Sequence, residues 1–166
     1  MRAAPSARWL WLTLAVLAAD RATKYAVESL TSEGFRRVLI PEFAALVHSR
    51  NTGMAFGLFG GSDTRWFSVA LLLVSSAVVV FLVWLLLTGR ATTTPAQAGL
   101  ALLAAGAAGN LLDRLIHGAV TDFLELHAGS FYWPAFNLAD SAITVGAALL
   151  AIEIFRGDSR RAATQE

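Results

Sequence analysis

Two aspartates, Asp122 and Asp140, are the side chains of this sequence best suited to acid–base chemistry. Seventeen residues lie between them, which easily allows the two carboxyl groups to meet. When two carboxyl groups lie close together, like-charge repulsion raises one pKa and the pair shares one proton. The ionised member can then deprotonate a water while the protonated member polarises a carbonyl group. Such a pair cleaves peptide bonds without a cofactor or a covalent intermediate, so we expect no cofactor.

The composition indicates that the elements positioning these aspartates lie in a membrane. Hydrophobic residues make up 56% of the 166-residue chain and charged residues only 15%, whereas soluble domains carry about 25% charged residues. A helix needs roughly 20 apolar residues to cross the hydrocarbon core. Four stretches meet or approach this length, at about residues 9–30, 66–87, 96–116 and 137–155. We predict an all-α membrane protein in which residues 1–166 form a single domain with four transmembrane helices.

Three connections join the predicted spans. Residues 31–65 form a long connection, and its segment 37–47 is rich in β-branched and aromatic residues, so short strands are expected there. Residues 88–95 form a short turn. Residues 117–136 form a third loop, and we expect its segment 124–135, with the region around Asn51, to close over the site. Its aromatic residues Phe131, Tyr132 and Trp133 suit a membrane interface or a lid.

The arginines of the loops predict the orientation of the four spans. Both tails and the 88–95 turn share one side of the membrane, and cytoplasmic segments carry the excess of Lys and Arg. That side holds Arg2, Arg8, Arg90, Arg156, Arg160 and Arg161, against Arg36, Arg37, Arg50 and Arg65 on the other. Both termini are therefore expected in the cytoplasm. Arg2 and Arg8 before the apolar run 9–19 also resemble a signal peptide, but the helical pattern continues past Ala19.

In this layout the unusual polar residues lie toward the extracytoplasmic face. Ionisable groups in hydrocarbon cost roughly 2.5–3.5 kcal/mol each by insertion scales, so a group of them predicts a polar pocket between helices. Helical spacing at i, i+3 and i+4 places each of two polar sets on one helix face. These sets are Asn110, Asp113 and Arg114 in the third span, and Asn137, Asp140, Ser141 and Thr144 in the fourth. Asp20, Lys24 and Glu28 also share one face, which we expect to turn toward protein.

The same residues permit other interpretations. Asn137 and Asp140 could simply cap the fourth helix, and Asp113 and Arg114 could form interfacial ion pairs. A serine–lysine peptidase would use Lys24, the only lysine, with a serine such as Ser49, Ser62 or Ser141. Two further classes are a proton-coupled transporter or small channel, which also keeps carboxylates among its helices, and a noncatalytic membrane scaffold.

Several site classes are excluded or disfavoured by composition. The chain has no cysteine, which rules out disulfides, a thiol nucleophile and thiolate metal sites. Its three histidines, His48, His117 and His127, show no HExxH-like pairing, so no metal site is expected. The net charge of +1 predicts no binding to nucleic acid.

Five short motifs, taken in order, resemble those of the lipoprotein signal peptidase family, also called signal peptidase II. The match covers nearly the whole chain, and five motifs in the expected order are a specific signal. They are Asp20-Arg21-Ala22-Thr23-Lys24 (DxxTK), Asn51-Thr52-Gly53-Met54-Ala55-Phe56-Gly57 (NxGxAF), Gly109-Asn110-Leu111-Leu112-Asp113-Arg114 (GNxxDR), Val120-Thr121-Asp122-Phe123 (VxDF) and Phe136-Asn137-Leu138-Ala139-Asp140 (FNxAD). Met54 stands where the family often has alanine.

The resemblance implies an endopeptidase of the bacterial inner membrane with four transmembrane helices and a small extracytoplasmic β-structured element. Such enzymes cut prolipoproteins on the amino side of a diacylglyceryl-modified cysteine, so the implied partners are a lipidated substrate and membrane lipid, and a monomer would suffice. The catalytic pair maps onto Asp122 and Asp140, near the outer surface of the membrane. The resemblance further implies substrate binding by Asn51, Asn110, Arg114 and Asn137, with Asp20, Lys24 and Asp113 in supporting roles.

Overall fold

Four long helices and four strands make up the fold. The computed structural model describes residues 9–53, 64–91 and 93–162. The helices are α1 (Leu10–Leu30), α2 (Thr64–Leu87), α3 (Thr94–His117) and α4 (Leu138–Ala162), and the strands are β1 (Arg36–Ile40), β2 (Ala44–Asn51), β3 (Val120–Ala128) and β4 (Phe131–Phe136). Arg2, Arg8, Ser62 and residues 54–57, which the sequence analysis singled out, lie outside the described residues, as do the side chains of Arg65, Arg160 and Arg161.

Three of the helices are long and apolar enough to cross a membrane. These candidate spans are Trp66–Leu87, Thr94–His117 and Leu138–Arg156, and they agree with the second, third and fourth predicted spans. α3 begins at the N-cap Thr93, whose side chain accepts from the backbone N–H of Ala96, and ends at Gly118 with a left-handed φ of 73°. Both signals are typical of helix termini.

The first predicted span forms a helix of suitable length but of mixed polarity. α1 has 21 residues, and its second half contains Asp20, Arg21, Lys24 and Glu28. The buried positions Thr13, Asp20, Lys24 and Val27 recur at helical spacing and lie on one side. As predicted for Asp20 and Lys24, the charged face of α1 turns toward protein. That α1 also crosses the membrane therefore stays a prediction, which is taken up under the proposed function.

The four strands form one small antiparallel sheet in the order β1-β2-β3-β4. Strands were expected within 37–47, and β1 and β2 confirm that expectation. The expectation that 124–135 is a loop is wrong, because most of this segment belongs to β3 and β4. The physical reason is strand pairing: β3 pairs with β2 on one side and with β4 on the other, across a turn in which Gly129 has a φ of 59°, and the aromatic residues that follow favour a strand.

Close packing of α3 on α4 depends on glycine. A Cβ atom at Gly99 would lie 2.9 Å from the carbonyl oxygen of Gly146, and one at Gly146 would lie 2.7 Å from that of Gly99. A Cβ at Gly106 would overlap the carbonyl oxygen of Ala139, the residue before Asp140. Small residues allow helix backbones to approach closely in membranes, and here they bring α3 against the start of α4.

Gly106→Ala is therefore expected to reduce stability and activity together. The added methyl group must push α4 away from α3 at Ala139, and overpacking of this kind costs roughly 1–3 kcal/mol. Thermal unfolding in detergent, followed beside the initial rate of the peptide cleavage expected from the motifs, measures both effects. Ala147→Ser, which adds one heavy atom at an exposed position of α4, is the matched control. Equal behaviour of the two variants would contradict the packing argument.

Candidate active site

Asn137 and Asp140 begin α4 with a reciprocal cap. The side-chain oxygen of Asn137 accepts from the backbone N–H of Asp140 at 2.9 Å, and Asp140 Oδ2 accepts from the backbone N–H of Asn137 at 3.1 Å. This capping box satisfies two backbone donors at the start of the helix. It also fixes the Asp140 carboxylate, whose Oδ1 accepts from Asn110 Nδ2 at 2.7 Å. Asn137 and Asp140 therefore cap α4, as one interpretation of the sequence predicted, and the cap is compatible with a chemical role for Asp140.

Asp122 enters the site from β3, and β2 supplies its neighbour Asn51. Ser49 pairs with Asp122 across the two strands, and side chains two residues apart share one face of a strand, so Asn51 lies beside Asp122. Asn51 Nδ2 donates to Asp122 Oδ2 at 3.1 Å, and its side-chain oxygen accepts from the backbone N–H of Gly53 at 2.9 Å. This turn holds the amide nitrogen of Asn51 toward the carboxylate.

Asn137 links the two aspartates. Its Nδ2 donates to Asp122 Oδ1 at 2.7 Å, while its side-chain oxygen and its backbone N–H both bind Asp140. Asn137 is 1% exposed and Asp122 is 3% exposed. The structure thus joins, through one buried asparagine, the two residues that the sequence singled out as a pair.

The environment of Asp122 favours a bound proton. Burial raises the pKa of Asp122 from 3.8 to about 6, and repulsion by Asp140 adds to the rise, whereas hydrogen bonds from Asn51 and Asn137 oppose it. A carboxyl group with this pKa exchanges its proton within about a unit of neutral pH, as general acid–base catalysis requires. The arrangement can therefore hold one proton between two carboxyl groups, the state that activates water in aspartic peptidase chemistry.

A buried cluster of charges lies behind the pair, between α1 and α3. Lys24 is 0% exposed, and its ammonium lies 2.9 Å from Asp20 Oδ2 and 3.0 Å from Asp113 Oδ2. Arg21 reaches Asp113 Oδ1 at 2.6 Å and also pairs with Glu28. Asp113 therefore forms its ion pairs inside the protein, and the interpretation that it pairs at the membrane interface is wrong. Because Lys24 binds these acids and Asn110, the serine–lysine interpretation finds no support in its contacts.

The cluster also supports the backbone near both aspartates. Asp20 Oδ1 accepts from the backbone N–H of Ala139 at 2.9 Å, and Asp113 Oδ2 accepts from the backbone N–H of Thr121 at 3.0 Å. Ala139 precedes Asp140, and Thr121 precedes Asp122. The structure thus brings Asp20 and Asp113, for which supporting roles were expected, to the chain beside each member of the pair.

Arg114 lies beside the pair with part of its guanidinium unsatisfied. Nη1 donates to the carbonyl oxygen of Asn110 at 3.4 Å, and Nε is buried without a hydrogen-bond partner within the described part of the chain. The side chain lines a cavity of about 70 Å³ with Thr52 and Leu71. A buried donor without a partner is costly, by roughly 1–3 kcal/mol, so an incoming carbonyl group would satisfy Arg114.

A second cavity borders Asp140 on the other side. It has a volume of about 360 Å³ and is lined mainly by apolar side chains of β3, β4 and α4, with Asp140 at its wall. Its lining residues are Leu126, Trp133, Phe136, Asp140, Ser141, Thr144 and Val145. An apolar cavity with one chemically active group suits a substrate that is itself mostly apolar.

Comparison with known proteins agrees with this geometry. The family model for signal peptidase (SPase) II matches residues 12–156. The chain belongs to the signal peptidase II family. A lipoprotein signal peptidase of Solibacter usitatus is 40% identical over 154 residues, covering 92% of this chain and 94% of that protein. The enzyme of the same name from Pseudomonas syringae pv. tomato is 44% identical, with 89% and 86% covered.

The fold comparison supports the same assignment. A solved structure of a bacterial membrane enzyme has a TM-score of 0.80 and 27% identity, and the match covers 93% of this chain and 91% of that one. A second such structure has a TM-score of 0.78 and 28% identity, with 89% and 92% covered. Membership in the signal peptidase II family makes this chain a membrane peptidase, as the resemblance of its motifs predicted.

Four of the five signal peptidase II motifs lie wholly within the described residues, and they meet at one site. GNxxDR supplies Asn110, Asp113 and Arg114 from α3, VxDF supplies Asp122 from β3, and FNxAD supplies Asn137 and Asp140. DxxTK contributes from α1. Of NxGxAF, Asn51 and Gly53 contact the site, and residues 54–57 lie outside the described residues.

Three members of the network had no predicted role, although Glu28 was expected to turn toward protein with Asp20 and Lys24. Arg21 and Glu28 complete the ion cluster, and the Thr121 hydroxyl donates to Glu28 Oε1 at 2.7 Å. Glu28 shares a helix face with Asp20 and Lys24, so its spacing was a usable signal. Arg21 follows Asp20 directly and points to no partner from spacing alone, because Asp113 lies 92 residues further along the chain.

The raised pKa of Asp122 predicts a specific pH dependence of stability. The folded protein binds this proton more tightly than the unfolded chain between pH 3.8 and about 6. The stabilisation is therefore complete below the lower value and lost as pH rises through the upper one, by about 3 kcal/mol. Asp122→Asn should remove this component. As pH falls across this range, the thermal midpoint of the wild type should rise relative to that of the variant, and parallel curves would contradict the argument.

Proposed function

We propose that this chain is the endopeptidase that removes the signal peptide from prolipoproteins, and that Asp122 and Asp140 are its catalytic residues. Two findings support this reaction: the chain belongs to the signal peptidase II family, and it is similar to proteins named lipoprotein signal peptidase. The observation that carries the proposal is the binding of both carboxylates by one buried residue, Asn137. Cleavage takes place on the amino side of a cysteine that carries a diacylglyceryl group.

In the proposed mechanism the two aspartates share a proton and a water. Asp122 holds the proton, in keeping with its raised pKa, and the ionised Asp140 accepts a proton from the water as it attacks the scissile carbonyl. Asp122 donates its proton to the carbonyl oxygen, giving a neutral tetrahedral intermediate. Collapse of the intermediate breaks the C–N bond: Asp140 passes its gained proton to the leaving amine, and one hydroxyl group of the intermediate returns a proton to Asp122 as the new carboxylic acid forms.

The remaining site residues divide into two proposed roles. Asn51 and Arg114 border the open side of the pair, and the unpartnered Nε of Arg114 is suited to a carbonyl oxygen of the substrate backbone. Asn110 and Asn137 are buried with both ends of their amides engaged by protein groups, whereas the side chain of Asn51 is exposed to an incoming substrate. We therefore assign them mainly to positioning of the aspartates, and substrate contact mainly to the first two.

The substrate approaches from the membrane in this proposal. A lipidated cysteine keeps its acyl chains in the bilayer, so the scissile bond lies near the interface, where water is also available. The apolar cavity beside Asp140 is suited to an apolar side chain of the signal peptide or to part of an acyl chain. Membrane lipid and the lipidated precursor are the proposed partners, with no cofactor, no nucleic acid and a monomer as the working unit.

The proposed topology is multi-pass in the bacterial cytoplasmic membrane. α1 joins the three apolar helices as a fourth span, with its charged half buried against α3, and residues 1–166 form one peptidase domain. Both termini lie in the cytoplasm and the site faces the extracytoplasmic side. Phe131, Tyr132 and Trp133 are each more than half exposed on β4, as expected for aromatic residues at a membrane interface.

Cleavage of a matched pair of precursors tests the proposed function. Purified protein is incubated with one prolipoprotein carrying the diacylglyceryl group and with the same prolipoprotein unmodified, and mass spectrometry locates the cut. We expect cleavage before the cysteine of the lipidated form, at a rate at least about 100-fold above the unmodified form, because lipid anchoring supplies binding and orientation. Failure to cut the lipidated form, by protein that retains its thermal transition, would refute the proposal.

The two other function classes, transporter and scaffold, predict different results with the same purified protein. A proton-coupled transporter would give substrate-dependent proton flux in liposomes, and a noncatalytic scaffold would tolerate replacement of both aspartates. The buried ionisable side chains among the described residues lie toward one end of the helices, where a channel or transporter would need such groups toward both faces, and this favours the peptidase.

A further inference from the structure

The only lysine of the chain lies in an unusual position for a charged group. Lys24 is fully buried, and three oxygens lie within 3.0 Å of its ammonium: Asp20 Oδ2 at 2.9 Å, Asp113 Oδ2 at 3.0 Å and the side-chain oxygen of Asn110, to which it donates a hydrogen bond, at 3.0 Å. The first two contacts are ion pairs, which account for the charge of Lys24. The third is to a neutral amide, and this amide also binds Asp140.

The contact with Lys24, the shorter of two that the Asn110 oxygen accepts, sets which end of the Asn110 amide faces Asp140; the other comes from Asn137 Nδ2 at 3.3 Å. An ammonium group is a donor only, so the amide oxygen must face Lys24 and the amide nitrogen must face away. The nitrogen accordingly donates to Asp140 Oδ1 at 2.7 Å. A reversed amide would place its NH₂ group against the ammonium and its oxygen against the carboxylate, and both contacts would be repulsive.

We propose that Lys24 is a positioning residue that fixes the orientation of the Asn110 amide and thereby presents a hydrogen-bond donor to the catalytic Asp140. The inference rests on the proposed function, in which Asp140 must be ionised to take a proton from water. Donors aimed at a carboxylate stabilise its ionised form, and an oxygen aimed at it favours the protonated form. Lys24 thus acts on the reaction through Asn110 without touching the substrate.

Loss of the ammonium is expected to reverse the amide. Without Lys24, the Asn110 side chain would face the carboxylate of Asp113 from α3 and, where it is kept, that of Asp20 from α1, and a carboxylate accepts hydrogen bonds only. Its NH₂ group would turn toward them and its oxygen toward Asp140. The other charged groups at the site, Arg114 on α3 and Asp122 on β3, are unchanged by this rotation.

The test variant removes the ammonium without leaving a net buried charge. Lys24→Met combined with Asp20→Asn loses one positive and one negative group, keeps an oxygen for the N–H of Ala139 and leaves the Arg21–Asp113 pair intact. Asp20→Asn alone is the matched background. The difference between these two proteins in cleavage of the diacylated precursor, measured as kcat, KM and the pH–rate profile, is the contribution of Lys24.

We expect Lys24→Met in this background to lower kcat about tenfold or more with less than about a twofold change in KM. The acid limb of the pH–rate profile should move to higher pH by about one unit. Lys24→Arg keeps a donor-only cation, so its acid limb should stay at the wild-type pH even if stability falls. Unchanged limbs in the double variant, or equal displacement in Lys24→Arg, would overturn the inference.

A double-mutant cycle tests whether Lys24 acts through Asn110. In an Asn110→Ala background there is no amide to orient, so Lys24→Met with Asp20→Asn should change single-turnover cleavage by less than about twofold relative to Asp20→Asn. A loss as large as in the native background would overturn the inference and assign Lys24 to stability alone. Wild-type protein is assayed first, so that failure of the proposed function is recognised separately by absence of cleavage.

Discussion

We expect Asp122→Asn or Asp140→Asn to lower kcat for the lipidated precursor about a thousandfold or more, because each substitution removes a required proton transfer. Asparagine cannot take a proton from water, and it cannot supply the proton that the carbonyl oxygen needs. The change is nearly isosteric, so the site keeps its shape. Initial rates with saturating precursor, measured in detergent micelles, give the effect directly.

The structure also predicts that these variants fold. Asp140→Asn keeps a side-chain oxygen that can accept from the backbone N–H of Asn137, so the cap of α4 is retained. Asp122→Asn removes a buried carboxyl group whose ionised form is disfavoured by burial, so its thermal midpoint should not fall near neutral pH. Glu125→Gln, which breaks a surface ion pair with Arg36 on the sheet, is a matched carboxylate-to-amide control with unchanged kcat. Near-normal turnover in either aspartate variant would exclude that aspartate from catalysis.

Asn137→Asp is expected to produce the second largest loss, about a hundredfold in kcat, while the helix cap is retained. Its side-chain oxygen can still accept from the backbone N–H of Asp140. The donor to Asp122 Oδ1, now at 2.7 Å, is replaced by an oxygen. A third carboxyl group against the pair repels both members and adds a competing site for the shared proton, a change worth at least about 3 kcal/mol.

The companion variant Asn137→Ala separates positioning from electrostatics. It loses the cap as well as the link between the aspartates, so stability should fall by about 1 kcal/mol or more. Asn137→Asp should remain more stable than Asn137→Ala and yet be no more active. If Asn137→Asp instead retained wild-type rates, the link through Asn137 would have no part in the chemistry.

The aspartate pair was predictable because its signals are local. Asp122 and Asp140 each lie within a short motif, and Asn137 stands three residues before Asp140, the spacing of a capping box. Three apolar spans could be predicted equally well, because α2, α3 and α4 are long and poor in charged residues. The first strands followed from the β-branched residues between 37 and 47.

Other features depend on contacts that spacing does not reveal. The pairing of Arg21 with Asp113 joins residues 92 positions apart, and the contact of Asp20 with the N–H of Ala139 spans 119. Neither follows from a helical period. The hairpin of β3 and β4 was missed for a different reason: its aromatic residues suit a membrane interface and a strand equally well, and only pairing with β2 decides between them.

The shared-proton mechanism requires Asp122 and Asp140 to work as one unit, and a double-mutant cycle of their asparagine variants measures this directly. Groups that act together lose their effect together, so the protein carrying both substitutions should cleave the lipidated precursor within about threefold of the slower single variant. Losses that multiply, or a double variant far slower than either single one, would show that the two carboxyl groups act independently and would contradict the shared-proton mechanism.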